Sequence, residues 1–352
     1  MRSPLLCFLL LILLSGCATG PKVLDFDKTG LKEPLMFPKG AEIPRYLYLG
    51  DLTGENNFKQ QGGETRNTAR SVFYWLVGLV GGAIRADELQ RPQAGYTDES
   101  GRVYVTDVSR QAVLVFDSPL GELKVWEMAE PHTRFNSPVG IAPGPQNTVL
   151  VADAGLGLVV RLGQDGQPQA SFGRGLLKRP TGIARDAKRG LTYVADTHAH
   201  DIKVFDDRGE MVETIGSHGD GSGQFNFPTH LAYHDDRLYI TDTLNARIQI
   251  YSRDQQLEQT FGKRGMYVGN LVRPKGVAVD DEGNIYIVES LYDTLLIYNP
   301  EGQLLLAIGG TGKEAGRFFL PAGVWTDSRN RIYVADMFNG RVSVFQFLGE
   351  GK

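Results

Sequence analysis

The sequence predicts an all-β fold: a six-bladed β-propeller whose last blade is completed by a strand from the N-terminal side. Three observations lead there. First, six segments align, from RPQAGYTDESGRVYVTD through FPTHLAYHDDRLYITD to LPAGVWTDSRNRIYVAD. Their leading prolines, Pro92, Pro138, Pro180, Pro228, Pro274 and Pro321, lie 46, 42, 48, 46 and 47 residues apart. Second, each unit closes on an acid: Asp107, Asp153, Asp196, Asp242, Glu289 and Asp336. Third, each period of about 45 residues holds four short apolar or alternating runs separated by turn residues, which is the sequence signature of a propeller blade.

Each element follows from its residues. In the fourth unit the strands read THLAY, RLYIT, ARIQIY and QLEQTFG, with turns at HDD, DTLN and SRDQ. Proline opens the innermost strand because it has no N–H to give to a ladder. The sixth unit ends after RVSVFQFL and lacks a fourth strand, which would leave an unpaired edge. The stretch PRYLYLGDL, 44–52, is strand-like and stands alone ahead of the first unit, so it is expected to supply that strand. The predicted layout is therefore a signal at 1–16, an anchored tether at 17–43, the closing strand at 44–52, an insertion at 53–91 and the blades at 92–348. The insertion carries SVFYWLVGLVGGAI, 71–84, which reads as a short helix on one face of the ring or as an exposed apolar patch.

The repeat P-x-G-φ-A…φ-Y-V-A-D…N-x-R-φ resembles the NHL repeat over residues 89–348, best at Asp242-Thr-Leu-Asn245-Ala-Arg247 and Asp336-Met-Phe-Asn339-Gly-Arg341. Unit five departs, with Glu289 for Asp and Thr294 where Arg would fall. Unit two has neither Asn nor Arg. The resemblance implies a ring of blades. Through the peptidyl-hydroxyglycine amidating lyase, an NHL propeller enzyme, it also implies a competing reading: a metal-dependent lyase or hydrolase with an axial site.

The first residues, MRSPLLCFLLLILLSGC, join one cation, Arg2, to an apolar run from Leu5 to Leu14. The run is too short to span a bilayer and has the form of an export signal. Leu14-Ser15-Gly16-Cys17 resembles the lipobox of bacterial lipoproteins, which implies cleavage before Cys17 and acylation of its thiol. The expected location is extracytoplasmic and lipid-anchored, on the periplasmic side of the outer membrane in a Gram-negative host. Of two cysteines, Cys7 leaves with the signal and Cys17 becomes the anchor, so no disulfide is expected. The net charge of −4, with no basic tract, argues against nucleic acid as a partner.

Strand direction sorts the candidate functional residues. The inner strand leaves one face and the second strand returns to it. The inter-blade links and the acid-led turns therefore share one face, the link face. His198, His200 and His218 fall there, with His230 at the start of the fourth inner strand, where most other units carry glycine. Trp75 and Tyr74 of the insertion arrive there too. The expected role is binding of a protein, peptide or envelope polymer through these residues and Glu289, with the bilayer held through Cys17. No cofactor is required. A divalent metal would rest on His230 and His198. The six acids are expected to accept hydrogen bonds from the backbone of their own turns, and Glu289, being longer, fits that role least well.

Overall fold

A computed structural model of the chain describes residues 21–28, 30–60 and 87–349. Five blades are four-stranded antiparallel sheets in simple up-and-down order. In the fourth, Pro228–His234, Arg237–Asp242, Arg247–Ser252 and Leu257–Phe261 run from axis to rim.

The sixth blade is built from both ends of the chain. Val324–Thr326, Arg331–Asp336 and Arg341–Phe347 come from the C-terminal side. Tyr46–Leu52 pairs with Arg341–Phe347 as the fourth strand, with Leu52 opposite Val342, Gly50 opposite Val344 and Tyr48 opposite Phe345. Met36–Phe37 adds a short fifth strand outside it. The expected closure is thus present. Within its seam the Asp51 carboxylate accepts from Arg341 Nη1 at 2.9 Å and from Ser343 Oγ at 2.8 Å.

Blades pack face to face, so their strands are buried on both sides. That is why the sequence shows near-continuous apolar runs such as VLVAD. In that strand, Val149 and Val151 pack toward the first blade. Leu150 and Ala152 pack toward the third. Among the described residues each of the six blade interfaces carries its own apolar cluster, including the closing pair, where Val105 and Leu114 of blade one meet Tyr333 and Val344 of blade six. Full burial of one such side chain contributes about 1.5–3 kcal/mol.

Crowding at the axis explains the glycines of the inner strands. A Cβ at Gly182 would lie 2.6 Å from Thr229 O and 2.7 Å from His230 Cα on the next blade. One at Gly276 would lie 2.6 Å from Val324 N. Inner strands approach too closely there for most side chains.

The tether expected at 17–43 needs correction over its described part, which is packed onto the ring. Lys22–Leu24 pairs with Phe58–Gln60, Asp27 bridges to Asp51, and Phe37 is buried beside Phe345. The apolar residues Leu24, Phe26, Leu31 and Leu35 join the clusters on either side of blade six, so pairing and burial hold the segment down. The expected signal and Cys17, and the 71–84 segment with Tyr74 and Trp75, lie outside the described residues. Among the described residues, no helix is long and apolar enough to cross a membrane.

Candidate functional site

The acids that lead the turns are fully buried, and backbone N–H groups meet their carboxylates. Asp107 accepts from the backbone N–H of Gln90 (2.6 Å) and Arg91 (2.8 Å) in the link ahead of its blade, and from Ser109 and Arg110 in its own turn. Asp153 does the same with Asn136, Ser137, Gly155 and Leu156. Each acid therefore pins a turn to the link ahead of its own blade. The own-turn bonds were legible in the sequence; the bond to a link 16–18 residues upstream was not. Glu289 must be corrected as a member of the binding face. It is fully buried, and its oxygens accept from Val272 N (2.8 Å), Arg273 N and Leu291 N (both 3.0 Å). The longer side chain reaches the same amides that the aspartates reach.

The Asn and Arg of the repeat are also spent internally. Arg247 donates to Asp242 and to the link carbonyls of Asp220, Gly221 and Gln224, while Asn245 donates to Gly219 O. Arg341 makes the matching contacts to Asp336, Glu314 O and Arg317 O. These residues shape the face and do not present charge on it.

Three of the four candidate histidines come together. His200 and His218 have ring centroids 4.2 Å apart, and Phe227 packs edge-on against both His200 (4.6 Å) and His198 (5.8 Å). Phe227 N donates to His200 Nδ1 at 3.2 Å, so that nitrogen is occupied. Burial first, then the charges of His218 and His198, push the His200 pKa below its ordinary value. Among the described residues no group of three or more His, Cys, Asp or Glu side chains is arranged to hold a metal ion.

His230 stands apart from this trio, on the axis. It lines a cavity of about 250 Å³ walled by the inner strands of all six blades. Burial first, and then the charge of Lys275 on the neighbouring inner strand, push its pKa down to about 3. That same lysine charge opposes a cation at His230.

The residues that mark the link face most clearly were missed in the sequence. Met266, Tyr267 and Val268, in the link between blades four and five, are 87%, 84% and 76% exposed. Leu244 and the pair Leu291–Tyr292, from the turns of blades four and five, are also exposed, as are Phe319 and Phe338 toward blade six. The available signal was GMYVG, three apolar residues between glycines, where the corresponding links read HGDGSGQF and TGKEAGRF.

Fold and face together define a closed propeller that carries an apolar-edged surface on its link side. Comparison with known proteins adds the following. No family model matches the chain. Curated relatives include proteins named for the NHL repeat. The chain is 25% identical over 181 residues to NHL repeat-containing protein 2 of Bos taurus (48% of this chain, 23% of that protein). It is 30% identical over 125 residues to RING finger protein nhl-1 of Caenorhabditis elegans (34% and 13%). It is 31% identical over 114 residues to Protein brain tumor of Drosophila melanogaster (32% and 10%). The chain spans less than a quarter of the length of these relatives. Similar solved structures include a gluconolactonase from Xanthomonas campestris (TM-score 0.59, 13% identity, 94% of this chain and 98% of that one). Virginiamycin B lyase from Staphylococcus aureus has a TM-score of 0.55 at 12% identity (94% and 96%). An auxiliary nutrient binding protein from Bacteroides thetaiotaomicron has a TM-score of 0.59 at 12% identity (74% and 70%). At such identities these likenesses speak for the fold alone. The repeat relatives, at modest identity, and the six blades support the NHL-repeat propeller family.

Proposed function

We propose that this chain is a lipid-anchored, extracytoplasmic binding propeller that recognises a protein, peptide or envelope polymer through its link face. The observation that carries the reading is the exposed Met266–Val268 tip, on the same face as the exposed Leu244, Leu291 and Tyr292 of the turns of blades four and five. Exposed apolar side chains that cluster on one face, rather than scattering, mark interaction surfaces. The rigid ring beneath supplies the preorganised support that such loops need. The nutrient-binding name among the structural neighbours is in keeping with a binding role. The anchor rests on the resemblance of Leu14–Cys17 to a lipobox, and with it goes an extracytoplasmic location, on the periplasmic side of the outer membrane in a Gram-negative host.

The test has two arms. A photo-reactive side chain placed at Tyr267 in living cells is expected to give a discrete cross-linked adduct, and one at Arg253, on the opposite face, is not. Equal labelling from both positions sinks the face assignment. Metabolic labelling with a palmitate analogue is expected to mark the wild type but not Cys17→Ser. Incorporation into both would refute the anchor and leave the face untouched.

A further inference from the structure

The closing seam leaves a cavity of about 350 Å³ at the rim, on the face opposite the links. One wall comes from the N-terminal segment, with Ile43, Arg45 and Tyr46. The other comes from blade five: Glu282 and Asn284 stand on the turn between its first two strands, and Leu305 on its outer strand. Ile43 is 61% and Leu305 56% exposed, so both walls hold apolar surface open to water. Covering such surface is favourable. The proposed binding face uses none of these residues.

The polar groups of the cavity carry opposite charges that do not meet. Among the described residues neither Arg45 nor Glu282 forms an ion pair, with each other or with a third group. The one side-chain contact of Arg45 is Nη1 donating to Gly349 O at 3.3 Å, which leaves most of its five N–H groups free. The blade-five wall is held rigid by buried Asp280. That carboxylate accepts from the backbone N–H of Glu282 (3.0 Å) and Asn284 (2.8 Å), and from Tyr286 Oη (2.7 Å), whose oxygen meets Tyr46 Oη at 3.3 Å. It also takes Asn284 Nδ2 at 2.9 Å. A carboxylate only accepts, so this bond fixes which end of the Asn284 amide is committed and leaves Oδ1 as an acceptor. One wall thus offers donors of positive charge, and the other offers acceptors of negative charge.

We propose that this rim cavity binds a small zwitterion with an apolar side chain, a free apolar amino acid or a short apolar peptide. Its carboxylate is held by Arg45, its ammonium by Glu282 and Asn284 Oδ1, and its side chain lies against Ile43 and Leu305. A guanidinium matches a carboxylate with two parallel N–H donors, and an ammonium is all donor, so each end of the ligand has its complement. A simple anion would leave Glu282 without a partner and a simple cation would leave Arg45 without one. The volume stands at the low end of the ~300–1,000 Å³ of small-molecule sites, which suits a ligand of one or a few residues. The site lies across the ring from Met266–Val268, so it can fail while the link face stands, and the reverse.

The experiment titrates purified full-length protein calorimetrically with leucine, leucyl-leucine and leucyl-leucyl-leucine. Leucinamide lacks the carboxylate, N-acetyl-leucine lacks the ammonium, and glycine lacks the apolar side chain. At least one of the three leucine compounds is expected to bind saturably, and the three controls about tenfold more weakly or worse, the usual consequence of losing a charge-assisted contact. Tightest binding by leucine assigns the site to a free amino acid, and by either peptide to a peptide. Arg45→Gln should abolish the preference over leucinamide and Glu282→Gln the preference over N-acetyl-leucine. Glu282 is exposed, so its variant keeps the fold even where Arg45→Gln disturbs the seam. Controls that bind as well as leucine, undiminished binding in a folded variant of either kind, or no saturable heat from any of the three leucine compounds would overturn the proposal.

Discussion

Blades four and five hold the same turn with different chemistry. In blade four, Arg247 stands opposite Asp242 and reaches three carbonyls of the link ahead of it. In blade five, Thr294 stands opposite Glu289 in the same register, and no guanidinium reaches the link ahead of that blade from this position. That link, 262–273, is held at its end by Glu289, by Leu271 N to Lys263 O at 2.9 Å, and by Arg264 to Leu244 O at 2.6 Å. It is also the link that carries Met266, Tyr267 and Val268 into solvent. In blade four the Asp–Asn–Arg set folds the link down as scaffold, whereas the link ahead of blade five, without that Arg, carries an apolar tip into solvent.

Substitutions can break or sharpen this contrast, and the largest effect is expected in blade six. There the matching arginine also holds the closing strand. Arg341→Met strands the buried carboxylates of Asp336 and Asp51 and should cost about 3–5 kcal/mol in urea unfolding. A loss near that of an exposed pair would show that the clasp does not depend on it. Next comes the axial pair shared by blades four and five. The folded-state pKa of His230 is depressed to about 3, below the ~6.5 of an unfolded chain. Its contribution to stability is fully present above pH 6.5 and is lost as pH falls toward 3, by up to about 1.4 kcal/mol per pH unit. His200 has the same sign, so the slope that disappears in His230→Gly isolates the axial histidine; an unchanged slope refutes its burial as neutral imidazole.

Arg247→Met, whose side chain is 15% exposed, should cost about 1.5–3 kcal/mol, and amide exchange in 219–224 should speed up in parallel. Smallest is the reverse change. Thr294→Arg gives blade five the missing clamp and should change stability by no more than a few tenths of a kcal/mol. It should nevertheless slow amide exchange across 262–273 and reduce cross-linking from Tyr267. Faster exchange would show that the link is held in some other way.

Period and composition carried the ring, its blade number and the closing strand into view, because a repeat writes its structure once per blade and a missing strand shows as a gap. The acids' turn role was legible too, since Asp at a strand end is local chemistry. What stayed hidden depends on neighbours far away in sequence. Gly182 is glycine because of His230 on the next blade. Glu289 does an aspartate's work because Val272 and Arg273 lie within its reach. The 21–43 segment is packed because a buried edge at Tyr46–Leu52 accepts it. No window of sequence contains those partners. The Met266–Val268 tip was different: it could be seen by laying the links side by side, as the blades had been.

The seam between Tyr46–Leu52 and Arg341–Phe347 has a kinetic consequence. Almost 300 residues separate Asp51 from its partners Arg341 and Ser343, so the last stitch is the most non-local one in the fold. Joining distant segments is slow, and until then the newborn chain keeps a naked ladder at its rim. A cell making this protein would have to shield that rim from other copies while synthesis reaches the final strand, and trimming either half of the seam would leave every molecule permanently sticky.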